Sequence, residues 1–145
     1  MRVTVTEKFK SELRRKGVES FHSANSGASL PDSYVCEAPC SLKWMQLDHS
    51  GQMGAFSYAV SGYYFATSIG RYTSIGEDVQ IGRQDHPLDW LSTSPFQYLN
   101  ASLFEVGSDF KGGADFQNYR SHLVGKVAGT TLRPVTIGHD VWIGH

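Results

Sequence analysis

Isoleucine recurs at positions 69, 75 and 81, each time followed by glycine, so that residues 69–82 read Ile-Gly-Arg-Tyr-Thr-Ser, Ile-Gly-Glu-Asp-Val-Gln, Ile-Gly. A period of six fits neither the 3.6 of a helix nor the simple alternation of a flat strand. It fits a solenoid in which every six residues make one short strand and one corner. The isoleucines then point into a prism-shaped core, and the glycines allow close backbone approach. The phrase returns near the C-terminus as Ile137-Gly138-His139-Asp140-Val141-Trp142-Ile143-Gly144. Parallel short strands are therefore expected at Ile69, Ile75 and Ile81, with all three side chains inward.

Upstream the pattern changes. Thr4 and Glu7 stand in the spacing of a capping box, Val5, Phe9 and Leu13 fall on one helical face, and Gly17 is a natural stop. A helix over 5–16 is expected, packing its narrow stripe on the end of the solenoid or on a neighbouring subunit. Residues 20–33 are polar and read as loop. Short apolar pieces from Tyr34 onward read as irregular first coils. Residues 83–134 depart from the six-residue period and are too long for an ordinary connection. Gly107, Gly112, Gly113, Gly125 and Gly129 punctuate that stretch, and Phe104, Phe110, Phe116 and Tyr119 give it apolar anchors. The resulting division is 1–50, N-terminal helix and first coils; 51–82, regular coils; 83–134, excursion loop; 135–145, resumed coil.

Composition narrows the possibilities. The chain has 145 residues and a net charge of −1, and its basic residues form no run beyond Arg14-Arg15-Lys16. Nothing there calls for nucleic acid or an anionic membrane. No apolar stretch could span a bilayer and no signal peptide is read, so the expected location is cytoplasmic. Cys36 and Cys40 are the two cysteines. In a reducing compartment they read as free thiols, and one C-x3-C offers too few ligands for zinc.

The excursion carries the second motif. From His86 it reads His-Pro-Leu-Asp-Trp-Leu-Ser-Thr-Ser-Pro-Phe, ending at Phe96. Together with the Ile-Gly repeats and the Ile-Gly-x-Asp-Val-Trp-Ile-Gly run at Ile137, this segment resembles the left-handed β-helix acyltransferases. The likeness is to their xenobiotic acetyltransferase branch, which includes chloramphenicol and streptogramin acetyltransferases, and it covers roughly the second two thirds of the chain. Met53-Gly54-Ala55-Phe56-Ser57-Tyr58 also resembles a coil of that family.

The resemblance implies an all-β fold: a left-handed parallel β-helix of hexapeptide repeats with a short N-terminal helix and a long excursion loop. Left-handed crossovers run against the usual rule for parallel connections. It also implies a homotrimer and acetyl transfer from acetyl-CoA, as cosubstrate, to a hydroxyl of an antibiotic-like or saccharide acceptor. No metal is expected.

The base at the family's motif position is His86, and histidine suits the task because its ordinary pKa lies near working pH. Asp85 or Asp89 is a candidate to accept the ring's other N–H. Trp90 and Phe96 would pin the loop, Pro87 would stiffen it, and Ser92 supports the same run. Trp142 stands where relatives border the pantetheine arm of coenzyme A.

Two other readings remain open. Relatives continue for several coils beyond the point matched by His145, which makes an incomplete β-helix, and a catalytically inactive binding or assembly scaffold, the alternative. A metal-dependent hydratase is the third, because γ-class carbonic anhydrases use three converging histidines. His86, His139 and His145 lack their tight His-x4-His pair, and residues six apart should point to different faces. His22, His49 and His122 carry no motif.

Overall fold

The computed structural model describes residues 1–94, 111–112 and 132–145. The chain divides into two compact units, Met1–Arg83 with Leu132–His145, and Gln84–Thr131. Among the described residues of the first unit, nearly all regular structure is short strand in parallel sheets, with one short helix.

Three parallel sheets are visited in rotation. The strands β4 (Tyr34–Cys36), β5 (Cys40–Ser41) and β6 (Trp44–Asp48) enter the three sheets one after another. The strands β7 (Gly51–Met53), β8 (Tyr58–Ala59) and β9 (Ser61–Phe65) repeat the circuit, as do β10 (Thr67–Ile69), β11 (Ser74–Ile75) and β12 (Val79–Ile81). After the excursion, β13 (Val135–Ile137) and β14 (Trp142–Ile143) rejoin the first two sheets. The rotation thus starts at Tyr34, and the segment expected to be irregular already follows it. It was hard to read because its inward residues are Met45, Leu47, Met53 and Ala59 rather than a recurring isoleucine, although all four are buried.

Register explains the six-residue period. Ile69 lies between Met53 and Ile137, Ile75 between Ala59 and Ile143, and Ile81 beside Tyr64. Consecutive isoleucines therefore belong to three different sheets, and each stacks on an inward residue of the neighbouring circuit. Ile69 and Ile75 are fully buried, and Ile81 is half-buried against the same core. Burying such a side chain stabilises the fold by about 1.5–3 kcal/mol.

At two of the glycines that follow an inward residue, Gly54 after Met53 and Gly70 after Ile69, the cause is equally local. A Cβ on Gly54 would lie 2.7 Å from Arg71 N, and one on Gly70 would collide with Gly138 O. At these two positions the next circuit's backbone occupies the space a side chain would need, whereas a Cβ on Gly138 would meet nothing within 4 Å. Corner residues also sit in the left-handed region: Phe56, Tyr72 and Asp140 occupy equivalent corners at φ 59°, 60° and 54°. The residue after each of the first two corners, Ser57 and Thr73, carries a hydroxyl that bonds to the next circuit. Ser57 Oγ accepts from Thr73 N at 3.0 Å and donates to Gly70 O at 2.7 Å, and Thr73 Oγ1 donates to Gly138 O at 3.2 Å. These hydroxyls are buried and satisfied, as interior polar groups need to be.

The N-terminus differs from expectation in detail. Arg2–Thr4 is strand β1, paired antiparallel with β3 (Ser29–Pro31), and Val5 N donates to Ala28 O at 2.9 Å. That pairing takes the residues that would have opened the helix. The helix α1 accordingly spans Glu7–Arg15 and is capped by Thr6, whose Oγ1 accepts from Phe9 N at 3.1 Å. Gly17 ends it at φ 79°, as a left-handed C-terminal glycine does. Phe9 and Leu13 pack against the core cluster, to which the fully buried Val5 belongs from outside the helix. The helix packs on β2 (Val18–Glu19), the terminal strand of its sheet. The 20–33 stretch expected as loop therefore contains β3.

Candidate active site

The sequence places its candidates in both units. Asp85, His86, Asp89, Trp90 and Ser92 fall in Gln84–Thr131, whereas Trp142 lies on β14. Phe96 lies outside the described residues, as do Phe104, Phe110, Phe116, Tyr119 and His122 and the glycines at 107, 113, 125 and 129. Gly112 is described, in a turn at φ 96°.

Within 84–94 the chain has no regular secondary structure, and two side chains bond to its main chain. Pro87 is buried and fixes the backbone immediately after His86. His86 is exposed, and its Nδ1 lies 2.9 Å from Thr93 O. A carbonyl oxygen only accepts, so in this bond Nδ1 carries the proton and the ring's basic lone pair is on Nε2. Ser92 Oγ accepts from Ser94 N at 3.1 Å, a local turn that encloses Thr93. Ser92 thus shapes the peptide whose carbonyl orients the imidazole. Asp85 and Asp89 are exposed, and the acceptor on Nδ1 is a main-chain carbonyl where the sequence reading offered a carboxylate. Sequence could not supply Thr93 in that role, because the main chain carries it and its side chain does not.

Trp90 is half-buried, and the leucines beside the motif, Leu88 and Leu91, are fully open to solvent or nearly so. The arrangement presents a tautomerically fixed histidine amid exposed apolar groups. It suits proton abstraction by Nε2 from a hydroxyl or similar group.

Trp142 is 81% exposed on the outer face of β14, opposite Ser74. Its indole is available as a flat apolar surface. His139 has a different role from His86. It occupies the position equivalent to Arg71 in the adjacent circuit, and its Nδ1 accepts from Arg71 N at 2.9 Å. Arg71 in turn makes a bidentate ion pair with Glu37, Nε to Oε2 at 2.8 Å and Nη2 to Oε1 at 2.6 Å. That guanidinium holds the Glu37 carboxyl below the ordinary glutamate range, and Glu37 raises Arg71 in return. The three residues border a shallow groove of about 320 Å³ with Gln52. Sequence reasoning missed this cluster, though a signal was present: Arg71 and His139 each follow an Ile-Gly pair.

His139 and His145 follow β13 and β14, which belong to different sheets. Among the described residues no three His, Cys, Asp or Glu side chains converge as a metal site would require. No helix among them is long and apolar enough to cross a membrane. Comparison of the chain with protein-family models, curated proteins and solved structures returns no match.

Proposed function

We propose that this chain is an acetyl-CoA-dependent O-acetyltransferase built on a left-handed parallel β-helix, with His86 as general base. The observation that carries the reading is the Nδ1 bond of His86 to Thr93 O, within a run that resembles the xenobiotic acetyltransferase motif. It leaves Nε2 as the basic nitrogen. Acetyl transfer needs little else from the protein than a base for the attacking hydroxyl, an aligned thioester and a donor for the developing oxyanion.

In this reading Nε2 takes the acceptor's hydroxyl proton as the oxygen attacks the thioester carbonyl. The acetyl C–S bond then breaks, and coenzyme A leaves as the thiol once it regains a proton. Ser92 acts through the Thr93 peptide, Trp90 steadies the loop, Asp85 and Asp89 lie beside the base, and Trp142 offers its open face to the pantetheine arm. The three-sheet rotation and the Ile-Gly stacking support the solenoid part of the proposal. A homotrimer and a cytoplasmic location belong to the same reading.

The test is coenzyme A thiol release from acetyl-CoA, read with a thiol reagent, against chloramphenicol, a streptogramin and a panel of saccharides. Acceptor-dependent release supports the proposal. Tight acetyl-CoA binding without release to any acceptor would favour a binding scaffold, and neither binding nor release would remove the acyltransferase reading.

A further inference from the structure

Cys36 and Cys40, the two cysteines of the chain, take no part in the chemistry proposed for His86. Cys36 closes β4 and Cys40 opens β5, so they flank one corner of the first circuit. Both belong to the same packed cluster, Cys40 inside it and Cys36 half-buried against it. Cys40 also lines a surface groove of about 430 Å³ with Pro39, Phe56, Tyr58 and Arg14. Cys40 thus borders a groove that also holds a cation, and Cys36 lies across the corner from it.

We propose that Cys36 and Cys40 form a dithiol modification site, which low-molecular-weight disulfides such as glutathione disulfide convert to an intramolecular disulfide. The Cys40 thiolate attacks one sulfur of the oxidant, forming a mixed disulfide and expelling one glutathione thiolate. Cys36 then loses its proton to water and attacks the Cys40 sulfur, expelling the second glutathione. Two protein thiols are oxidised, and the oxidant's two sulfurs leave reduced. The order follows from the pair's asymmetry. Contact with Cys36 draws the Cys40 thiol below its ordinary value, while the same contact and burial push Cys36 up. Thiolate character, rather than exposure alone, selects the attacking sulfur.

The experiment uses the whole chain. Native protein is exposed to glutathione disulfide, quenched in acid, and alkylated with iodoacetamide under denaturing conditions for intact-mass analysis. The expected product is a monomer lighter by two hydrogens that takes up no alkyl group, and dithiothreitol should restore two alkylations. In Cys36→Ala the reaction should stop at one glutathione on Cys40. In Cys40→Ala the remaining thiol should react about tenfold more slowly or less, given its smaller thiolate fraction. Two glutathione adducts on the wild-type chain, a disulfide-linked dimer, or two thiols that remain alkylatable would overturn the proposal. The wild-type result decides this by itself, so a variant that fails to fold does not obscure it.

Discussion

Two histidines in two parts of the molecule hold their rings in opposite senses. His139 sits in the seam between stacked circuits, where Nδ1 accepts a main-chain N–H from Arg71. His86 sits in the segment that leaves the stack, where Nδ1 faces the Thr93 carbonyl. The seam histidine is therefore protonated at Nε2 when neutral, and its lone pair serves the fold. The other is protonated at Nδ1 and turns its basic nitrogen to the opposite side of the ring. Regular stacking supplies spare N–H groups at corners and uses a histidine as an acceptor there. An irregular turn supplies a carbonyl, and the same residue type becomes a candidate base.

The contrast can be broken most completely at the core. Ile75→Asp places a carboxylate where a fully buried side chain stacks between Ala59 and Ile143. An unpaired buried charge costs more than the marginal stability of a small domain. The expected result is loss of the cooperative urea transition followed by circular dichroism, and a variant unfolding like the parent would mean that the inward register is wrong.

Next in size is the functional arm. On the proposed acetyltransferase reading, His86→Ala should lower turnover by about 10²–10⁴ with acetyl-CoA affinity nearly unchanged in calorimetric titration, because the imidazole would act on the acceptor. His139→Ala should leave turnover near that of the parent and cost about 1 kcal/mol of stability through the lost acceptor. Equal kinetic losses in the two variants would erase the distinction drawn between them.

A smaller effect separates two glycines that look alike in sequence. Gly70→Ala drives a methyl group into the Gly138 carbonyl of the next circuit and should cost about 1–3 kcal/mol in urea denaturation. A Cβ at Gly138 meets nothing within 4 Å, so Gly138→Ala should lie within about 0.5 kcal/mol of the parent.

The smallest effect tests the ion pair beside His139. Arg71 depresses the Glu37 carboxyl, so the folded state binds that proton less readily than the unfolded chain. The contribution is complete above the ordinary glutamate value of 4.5 and is lost as pH falls below it toward the folded value. Glu37→Gln should therefore flatten the acid limb of a stability-versus-pH curve. The pair is exposed, so the difference at neutral pH should be slight. An unchanged acid limb would show that the pair contributes nothing to linkage.

Legibility followed repetition. Where Ile-Gly recurs, strand positions and inward side chains could be read from the chain, because stacking imposes the same demand at each step. The first circuits obey the same rotation with different means. Gly62 adopts φ 116° where a Cβ would lie 2.8 Å from Val79 N, and Tyr64 is buried with its hydroxyl donating to Ser61 O at 3.0 Å. A lone glycine and a buried tyrosine give no period to detect. At the N-terminus the capping-box spacing pointed to Thr4, but long-range pairing of Arg2–Thr4 with Ser29–Pro31 takes that residue into a strand and Thr6 caps the helix. In the candidate site His86 was visible by type and motif. Its orienting partner was a peptide oxygen, which every residue has and no sequence marks.

The pairing of Thr67, Ser68 and Ile69 with Val135, Thr136 and Ile137 has a consequence for how such a chain can change length. Strands that are neighbours in the sheet are separated in sequence by everything from Gly70 to Pro134, yet they meet in the same register as β7 and β10, whose connection is far shorter. The stack thus records position by circuit and not by residue count. An insertion inside a strand or corner would shift every later residue out of phase, whereas one placed between β12 and β13 leaves the phase intact. That junction works as a port, through which a chain of this design can acquire, exchange or shed a functional segment while its lattice is conserved.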